Sequence, residues 1–113
     1  MLPVLRNRFE EQKENVLKLI ERYEQEYRLS WNDIGIFGSY ARNEATGCSD
    51  IDFCIIGAKP DPQISGSLRE DAEMYNADVI FILKDEFLHG DSLLSKNLRR
   101  DIIFVRGGFD YEK

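Results

Sequence analysis

The sequence contains few of the residues that hold disulfide-rich or zinc-stabilised domains together: two cysteines and one histidine in 113 residues. Cys48 and Cys54 do not form a Cys-x-x-Cys pair, and His89 alone cannot complete a zinc site with them. Cys54 lies in an apolar run, where we expect a small buried residue, and we expect His89 at the surface or at a helix end rather than as a general base. The sequence therefore argues against a disulfide framework and a soft-metal site.

Long apolar runs and an excess of basic residues are also missing. No run approaches the roughly 20 apolar residues that span a bilayer, and the beginning of the chain has no signal-peptide pattern, so we expect a cytoplasmic protein that does not enter membranes. Fifteen Lys and Arg against 21 Asp and Glu give a net charge of −6, which makes nucleic acid an unlikely partner. An acidic excess is compatible with divalent metal chemistry, because hard cations neutralise carboxylate clusters.

The length favours one domain over residues 1–113, and the hydrophobic pattern alternates between helical and strand periods. The predicted fold is α+β, an α/β sandwich in which helices pack on a small mixed sheet. We expect a short helical turn at 40–45 capped by Ser39, a loop at 46–49, and Gly107-Gly108 as the end of the ordered part. Predicted helices are 5–28, 63–75 and 93–100, with a short turn or helix at 84–89. Predicted strands are 34–37, 50–56, 77–83 as the central strand, and 102–105 at an edge.

Residues 34–56 carry the chemistry: Gly38-Ser39 follows one apolar strand, and Asp50-x-Asp52 begins the next. Side chains alternate along a strand, so Asp50 and Asp52 share a face and could bind one metal ion or two adjacent ones. Asp78 begins an otherwise apolar strand, where an unpaired carboxylate is costly. If that strand neighbours the second one, Asp78 completes a cluster of three carboxylates.

The Gly38-Ser39 pair complements these carboxylates. Glycine allows a phosphate oxygen to approach backbone N–H groups, and the Ser39 hydroxyl adds a donor at a helix N-terminus. Each element alone is common in turns, but together they predict a site for a magnesium-bound triphosphate. Two metal ions in such a site bridge the attacking and leaving oxygens at phosphorus.

The pattern of Gly38-Ser39, ten residues and Asp50-x-Asp52 resembles the signature of the nucleotidyltransferase superfamily with a polymerase-β-like palm. The short chain resembles the minimal nucleotidyltransferases in particular. The resemblance implies that Gly38 and Ser39 hold the triphosphate, that Asp50 and Asp52 bind Mg²⁺, with two ions expected, and that Asp78 helps to bind metal and to activate the acceptor hydroxyl. It implies transfer of NMP to a hydroxyl with release of pyrophosphate, and ATP as the expected donor.

The sequence departs from that family at two positions near the Gly-Ser pair. Relatives often carry Arg where this chain has Tyr40, and Gly where it has Asn43. Tyr40 either stacks on a base or ribose or packs within the protein. Arg42 matches a second basic position of such motifs, and it either contacts phosphate or pairs with Glu44.

The resemblance also implies a partner. Minimal nucleotidyltransferases resemble one half of a two-component system whose other half is an all-helical HEPN protein, and in some pairs the minimal protein is an antitoxin that adenylylates a tyrosine of the toxin. Homo- or hetero-oligomers are compatible with the sequence. The acidic face of the first helix is either simply solvated or a docking surface. Two alternatives remain open: a module that neutralises its partner by binding alone, and a transferase for a small-molecule hydroxyl such as that of an aminoglycoside.

Overall fold

The computed structural model describes residues 3–45, 50–109 and 111. The predicted helices and strands are all present, with bounds that differ by a few residues, but residues 40–45 form no regular helix. The loop predicted at 46–49 lies outside the described residues. The elements in chain order are α1 (Pro3–Tyr27), β1 (Asp33–Phe37), β2 (Ile51–Ile56), α2 (Pro62–Glu73), β3 (Ala77–Ile82), α3 (Lys84–His89), α4 (Leu93–Asp101) and β4 (Ile103–Arg106).

The strands form one mixed sheet in the order β3-β2-β1-β4. β1 runs antiparallel to both β2 and β4, whereas β2 and β3 are parallel. The small mixed sheet and the edge position of β4 confirm the sequence prediction. The central position predicted for the third strand is wrong, because β3 is the other edge.

The apolar character of β3 has the cause that we inferred, burial on both faces, but this burial does not make the strand central. Val79 belongs to the core on one face of the sheet, and Ile82 belongs to the core on the other face. An apolar run therefore reports that helices or loops cover both faces of a strand. It carries no information on whether a neighbouring strand lies at each edge.

Two apolar cores enclose the sheet, and the alternation along β2 divides them. Ile51, Phe53 and Ile55 point into the core beneath α1 and α2. Cys54 and Ile56 point into the opposite core, beneath α3 and α4. Asp52 has the same parity as Cys54, so its carboxylate lies on the face that carries α3 and α4.

Two features of this second core show how closely it is packed. A Cβ atom at Gly35 would overlap the side chain of Ile102, so the glycine in β1 gives room to the residue that follows α4. Beyond Gly108, the rings of Phe109 and Tyr111 pack edge-on against Phe87. The prediction that order ends at Gly107-Gly108 is therefore wrong, since aromatic burial holds the chain beyond them. Within the described ranges, no helix combines the length and the apolarity needed to cross a membrane.

Candidate active site

The three aspartates selected from the sequence border one open cleft at the beginning of β2 and β3. Asp52 is directly opposite Asp78 in the parallel register, and Asp50 immediately precedes β2. The cleft has a volume of about 340 Å³. Its lining consists of the three aspartates together with Glu73, Asn76 and Ala77. The condition set by the sequence is met, since the strand of Asp78 does neighbour the strand of Asp52.

Asp52 is the carboxylate most affected by this arrangement. Partial burial raises its pKa, the negative charges of Asp78 and Asp50 raise it further, and Arg42 lowers it. Asp78 is about half exposed and pairs with Arg69 across 3.6 Å, a separation typical of a weak surface ion pair. Arg42 and Arg69 lie outside the lining of the cleft and compensate its negative charge only in part.

Gly38 is fixed by two constraints at the end of β1. Its φ of +76° lies in the left-handed region, which glycine adopts without strain. Phe37 pairs with Asp52 in the antiparallel register, so Gly38 lies against the carboxylate. A Cβ atom at position 38 would overlap the Asp52 Oδ2 atom. The close contact at this glycine is with the Asp52 carboxylate. The approach of a phosphate oxygen to the backbone of Gly38, which the sequence predicted, stays a prediction.

Ser39 begins the short helical turn that we predicted, although the turn ends at Asn43 rather than at residue 45; the Arg42 N–H donates to the Gly38 carbonyl at 3.1 Å. The Glu44 N–H donates to the Ser39 carbonyl at 2.8 Å, and the Asn43 N–H donates to the Tyr40 carbonyl at 3.2 Å. This bonding pattern, with Asn43 at a φ of +59°, is a Schellman closure that ends a helix. Asparagine tolerates the left-handed region, which explains how Asn43 replaces the glycine that is frequent in relatives.

Arg42 forms the pair with Glu44 that was one of its two predicted roles. Its Nε donates to Glu44 at 2.6 Å, and one terminal nitrogen donates to Asp101 at 2.9 Å. Asp101 is buried and also accepts hydrogen bonds from Arg100. The bonds from Arg100 lower the pKa of Asp101 to about 2, against the effect of burial, and the bond from Arg42 contributes in the same direction. Contact of Arg42 with phosphate remains a prediction.

Sequence reasoning missed Asp101, which lies 59 residues from Arg42 along the chain. Its neighbours in sequence mark it only as the end of a basic helix, so no local signal points to the site. It also missed Glu73 and Asn76, which line the cleft where the chain turns from α2 into β3. Asn76 adopts a positive φ of 55°, a turn property that gives no information about a ligand.

Three other residues singled out from the sequence, Tyr40, His89 and Cys54, have environments typical of residues without a catalytic role. Tyr40 stacks on Phe9 with ring centroids 4.7 Å apart, which favours the packing alternative over stacking on a base. His89 is exposed in the last turn of α3, as predicted. Cys54 is buried, and burial raises the pKa of its thiol to about 12, as expected of a residue that acts as a small apolar side chain.

The donor chemistry of the cleft fits a hard divalent cation. In the ranges 3–45, 50–109 and 111, no three His, Cys, Asp or Glu side chains are already arranged to hold a metal ion. Asp50, Asp52 and Asp78 nevertheless offer carboxylate oxygens, which Mg²⁺ prefers. Burial is the main cause of the raised pKa of Asp52, and repulsion from Asp78 and Asp50 adds to it; a bound cation would relieve that repulsion.

Comparison with known proteins identifies the family. The family model described as "Nucleotidyltransferase domain" matches residues 16–105. No curated protein matches the chain significantly. The chain is similar to a crystal structure of a toxin-antitoxin with AMP-PNP, with a TM-score of 0.54, 19% identity, and coverage of 80% of this chain and 72% of that one.

A second solved structure, a candidate nucleotidyltransferase from Sulfolobus solfataricus, has a TM-score of 0.48 and 19% identity, and the match covers 86% of this chain and 84% of that one. The family match spans both strands of the Gly-Ser and Asp-x-Asp pattern and includes Asp78. The chain belongs to the nucleotidyltransferase domain family.

Proposed function

We propose that this chain transfers a nucleoside monophosphate from ATP, with Mg²⁺, to a hydroxyl of a partner protein. One observation carries the proposal: Asp50, Asp52 and Asp78 border a single cleft, and Gly38 lies directly against Asp52. A triphosphate bound at the Gly38-Ser39 turn would then lie beside cations held by the carboxylates. This is the requirement of chemistry at the α-phosphorus of a nucleotide.

The reaction exchanges one phosphorus–oxygen bond for another. The acceptor oxygen bonds to the α-phosphorus, the bond from that phosphorus to the bridging oxygen breaks, and pyrophosphate leaves with the bonding electrons. Asp78 is half exposed at the cleft and takes the proton of the acceptor hydroxyl in our proposal. Mg²⁺ held by Asp50, Asp52 and Asp78 would neutralise charge on the phosphates.

The Gly38-Ser39 turn is the proposed binding place for the triphosphate. Gly38 has no side chain, so the backbone at the end of β1 stays accessible beside the carboxylates. Arg42 is about two-fifths exposed, so its guanidinium can reach a phosphate oxygen if it exchanges Glu44 for that anion. Asp101 would hold the arginine while that exchange takes place.

The proposed donor is ATP, and the proposed acceptor is a protein. A toxin-antitoxin with a similar fold was crystallised with AMP-PNP, which supports an adenine nucleotide as the donor and a protein as the partner of this chain. An all-helical HEPN partner is what the resemblance to minimal nucleotidyltransferases implies, and an antitoxin role follows from the same resemblance. The cytoplasmic location is a separate proposal, made from the sequence pattern alone. A hetero-oligomer with that partner would supply the acceptor hydroxyl.

The test is the intact mass of the protein encoded next to this chain, after incubation with this chain, ATP and Mg²⁺. We expect a gain of one or more AMP units with the wild type and none with Asp52→Asn, which removes charge from the cleft while conserving volume. Asp91→Asn makes the same change at an exposed position before α4 and should leave transfer intact.

Three results would contradict parts of the proposal. Normal transfer by Asp52→Asn would show that the site is assigned wrongly. A stable complex without any mass gain would indicate a module that acts by binding alone. Transfer to a small hydroxyl compound, with none to the protein, would replace the acceptor class.

A further inference from the structure

The outer edge of β3 has no strand partner in the part of the chain that the structure describes. On the inner side, the Ile51 N–H donates to the Asn76 carbonyl, and the Gly57 N–H donates to the Ile82 carbonyl. In a parallel ladder with this register, the backbone groups of even-numbered β3 residues face β2. The N–H and C=O groups of Val79 and Phe81 therefore point outward, as a template for another strand.

A groove follows this edge and adjoins the catalytic cleft. It has a volume of about 180 Å³ and is lined by Lys59, Arg69 and residues 79–81 of β3. Asp78, at the border of the catalytic cleft, is the next residue along the same strand. Arg69 connects the two, because it lines the groove and pairs with Asp78. A segment added along β3 would thus run directly to the carboxylates.

The positive charge of the groove indicates which kind of segment binds there. The chain carries a net charge of −6, yet the two ionisable side chains that line this groove are both cationic. A second copy pairing edge to edge would bring Lys59 and Arg69 close to their own counterparts, and both chains would be acidic. Charged side chains at a free edge commonly prevent such self-association. An extended segment with acidic side chains has the complementary charge.

We propose that β3 receives the acceptor protein as an added strand, with acidic side chains near Lys59 and Arg69 and the acceptor hydroxyl at the Asp78 end. The inference rests on the proposed function, since it names the segment that this active site modifies. Main-chain hydrogen bonds to Val79 and Phe81 provide affinity, and the two cations provide selectivity. The Arg69–Asp78 pair is weak enough at 3.6 Å to be exchanged when the segment binds.

The experiment uses the whole chain and a short synthetic peptide in which valine alternates with glutamate and one tyrosine lies near an end. We expect the peptide to slow hydrogen exchange at the amides of Val79 and Phe81, measured by NMR, because these amides acquire acceptors. The same peptide with lysine in place of glutamate should bind about tenfold more weakly. Binding of ATP with Mg²⁺ to the wild type is measured separately.

Variants test the role of charge. Lys59→Glu combined with Arg69→Glu should weaken the acidic peptide about tenfold and favour the lysine peptide. Lys96→Glu changes the charge equally at an exposed position on α4 and should leave both affinities unchanged. Circular dichroism of each variant verifies that the fold is intact before affinities are compared.

The possible failures are distinguishable. If the wild type does not bind ATP with Mg²⁺, the proposed function itself is overturned. Nucleotide binding without slowed exchange at Val79 and Phe81, even at about millimolar peptide, would overturn only the added strand. Equal binding of both peptides would overturn the charge argument. Slowed exchange that depends on protein concentration without peptide would identify a second copy as the occupant.

Discussion

Gly38 is the residue at which backbone conformation and the site depend most directly on each other. Gly38→Ala places a side chain at a φ of +76° and forces its Cβ against the Asp52 carboxylate. We expect a loss of about 1–3 kcal/mol of stability from the left-handed conformation. We also expect weaker binding of ATP with Mg²⁺, because Asp52 must move. Urea denaturation and calorimetric titration measure the two effects, and unchanged nucleotide affinity would show that the Gly-Ser turn lies outside the binding site.

Asp101 gives a prediction on stability that depends on pH. Its pKa falls from 3.8 in the unfolded chain to about 2 in the folded protein, because Arg100 and Arg42 donate hydrogen bonds to the carboxylate. A depressed folded pKa stabilises the protein above the unfolded pKa, and this contribution is lost as the pH falls through the folded pKa. Asp101→Asn should therefore cost about 1–2 kcal/mol at neutral pH, and the difference from wild type should shrink below a pH of about 4.

Urea denaturation of wild type and Asp101→Asn, at neutral pH and at several values down to about pH 3, measures this difference. Asp91→Asn, exposed before α4, removes the same charge without a buried partner and should show almost no difference at any pH. A cost for Asp101→Asn that stays constant with pH would mean that the residue acts through its shape alone.

The contrast between Gly38 and Asp101 shows how far the sequence determines the site. Gly38 directly follows β1, Asp50 directly precedes β2, and Asp52 lies in β2. Because the two strands are consecutive, the spacing of these residues was enough to predict that they come together. Asp78 required one further condition, the pairing of β3 with β2, which the structure meets. Asp101 reaches Arg42 only through the packing of α4 on the sheet, and contacts of that kind have no local pattern.

At the level of elements, α2 provides the matched control for Gly38. Gly66 lies inside α2, and a Cβ atom built there meets nothing within 4 Å. Gly66→Ala should stabilise the protein by about 0.5–1 kcal/mol, because glycine in a helix loses more backbone entropy on folding than alanine does. If alanine lowers the stability at position 38 and raises it at position 66, the effect at Gly38 is due to its left-handed conformation and to the contact of the new Cβ atom with Asp52. A loss of stability at both would point to a general intolerance of alanine.

Element types were easier to predict than their places in the sheet. Periodicity depends on what covers the faces of a strand, so β3 was identified correctly from its apolar run. The strands that neighbour β3 depend on how distant segments pair. Both faces of β3 are covered, by way of Ala77 and Val79 on one face and Ile80 and Ile82 on the other. Its sequence is therefore the same as that of a central strand would be. The short turn after Ser39 was predicted, but its length was not, for a different reason. Asn43 in the left-handed region ends it after one turn, although its composition is helical.

For the whole molecule, the central prediction is that the two cores on opposite faces of the sheet unfold together. Trp31, the one tryptophan, is buried on the side of α1 and α2, whereas Cys54 is buried on the side of α3 and α4. β2 contributes alternate side chains to both cores, so neither core can separate from the sheet without exposing the other. In addition, Arg106 at the end of β4 donates hydrogen bonds to Glu24 of α1 and to the Trp31 carbonyl.

A Cys48→Ser background leaves Cys54 as the only thiol, so alkylation and tryptophan fluorescence can follow the two cores separately. Cys54 should not react in the native state, because it is buried and its pKa of about 12 keeps the thiolate scarce. As urea is increased, the alkylation rate and the Trp31 fluorescence should report the same midpoint, since a single small domain unfolds in one transition. A thiol that reacts before the fluorescence changes would show that α3 and α4 open independently. In that case, the prediction of a single cooperative domain would fail, and the face that carries Asp52 and Asp101 would be the mobile one.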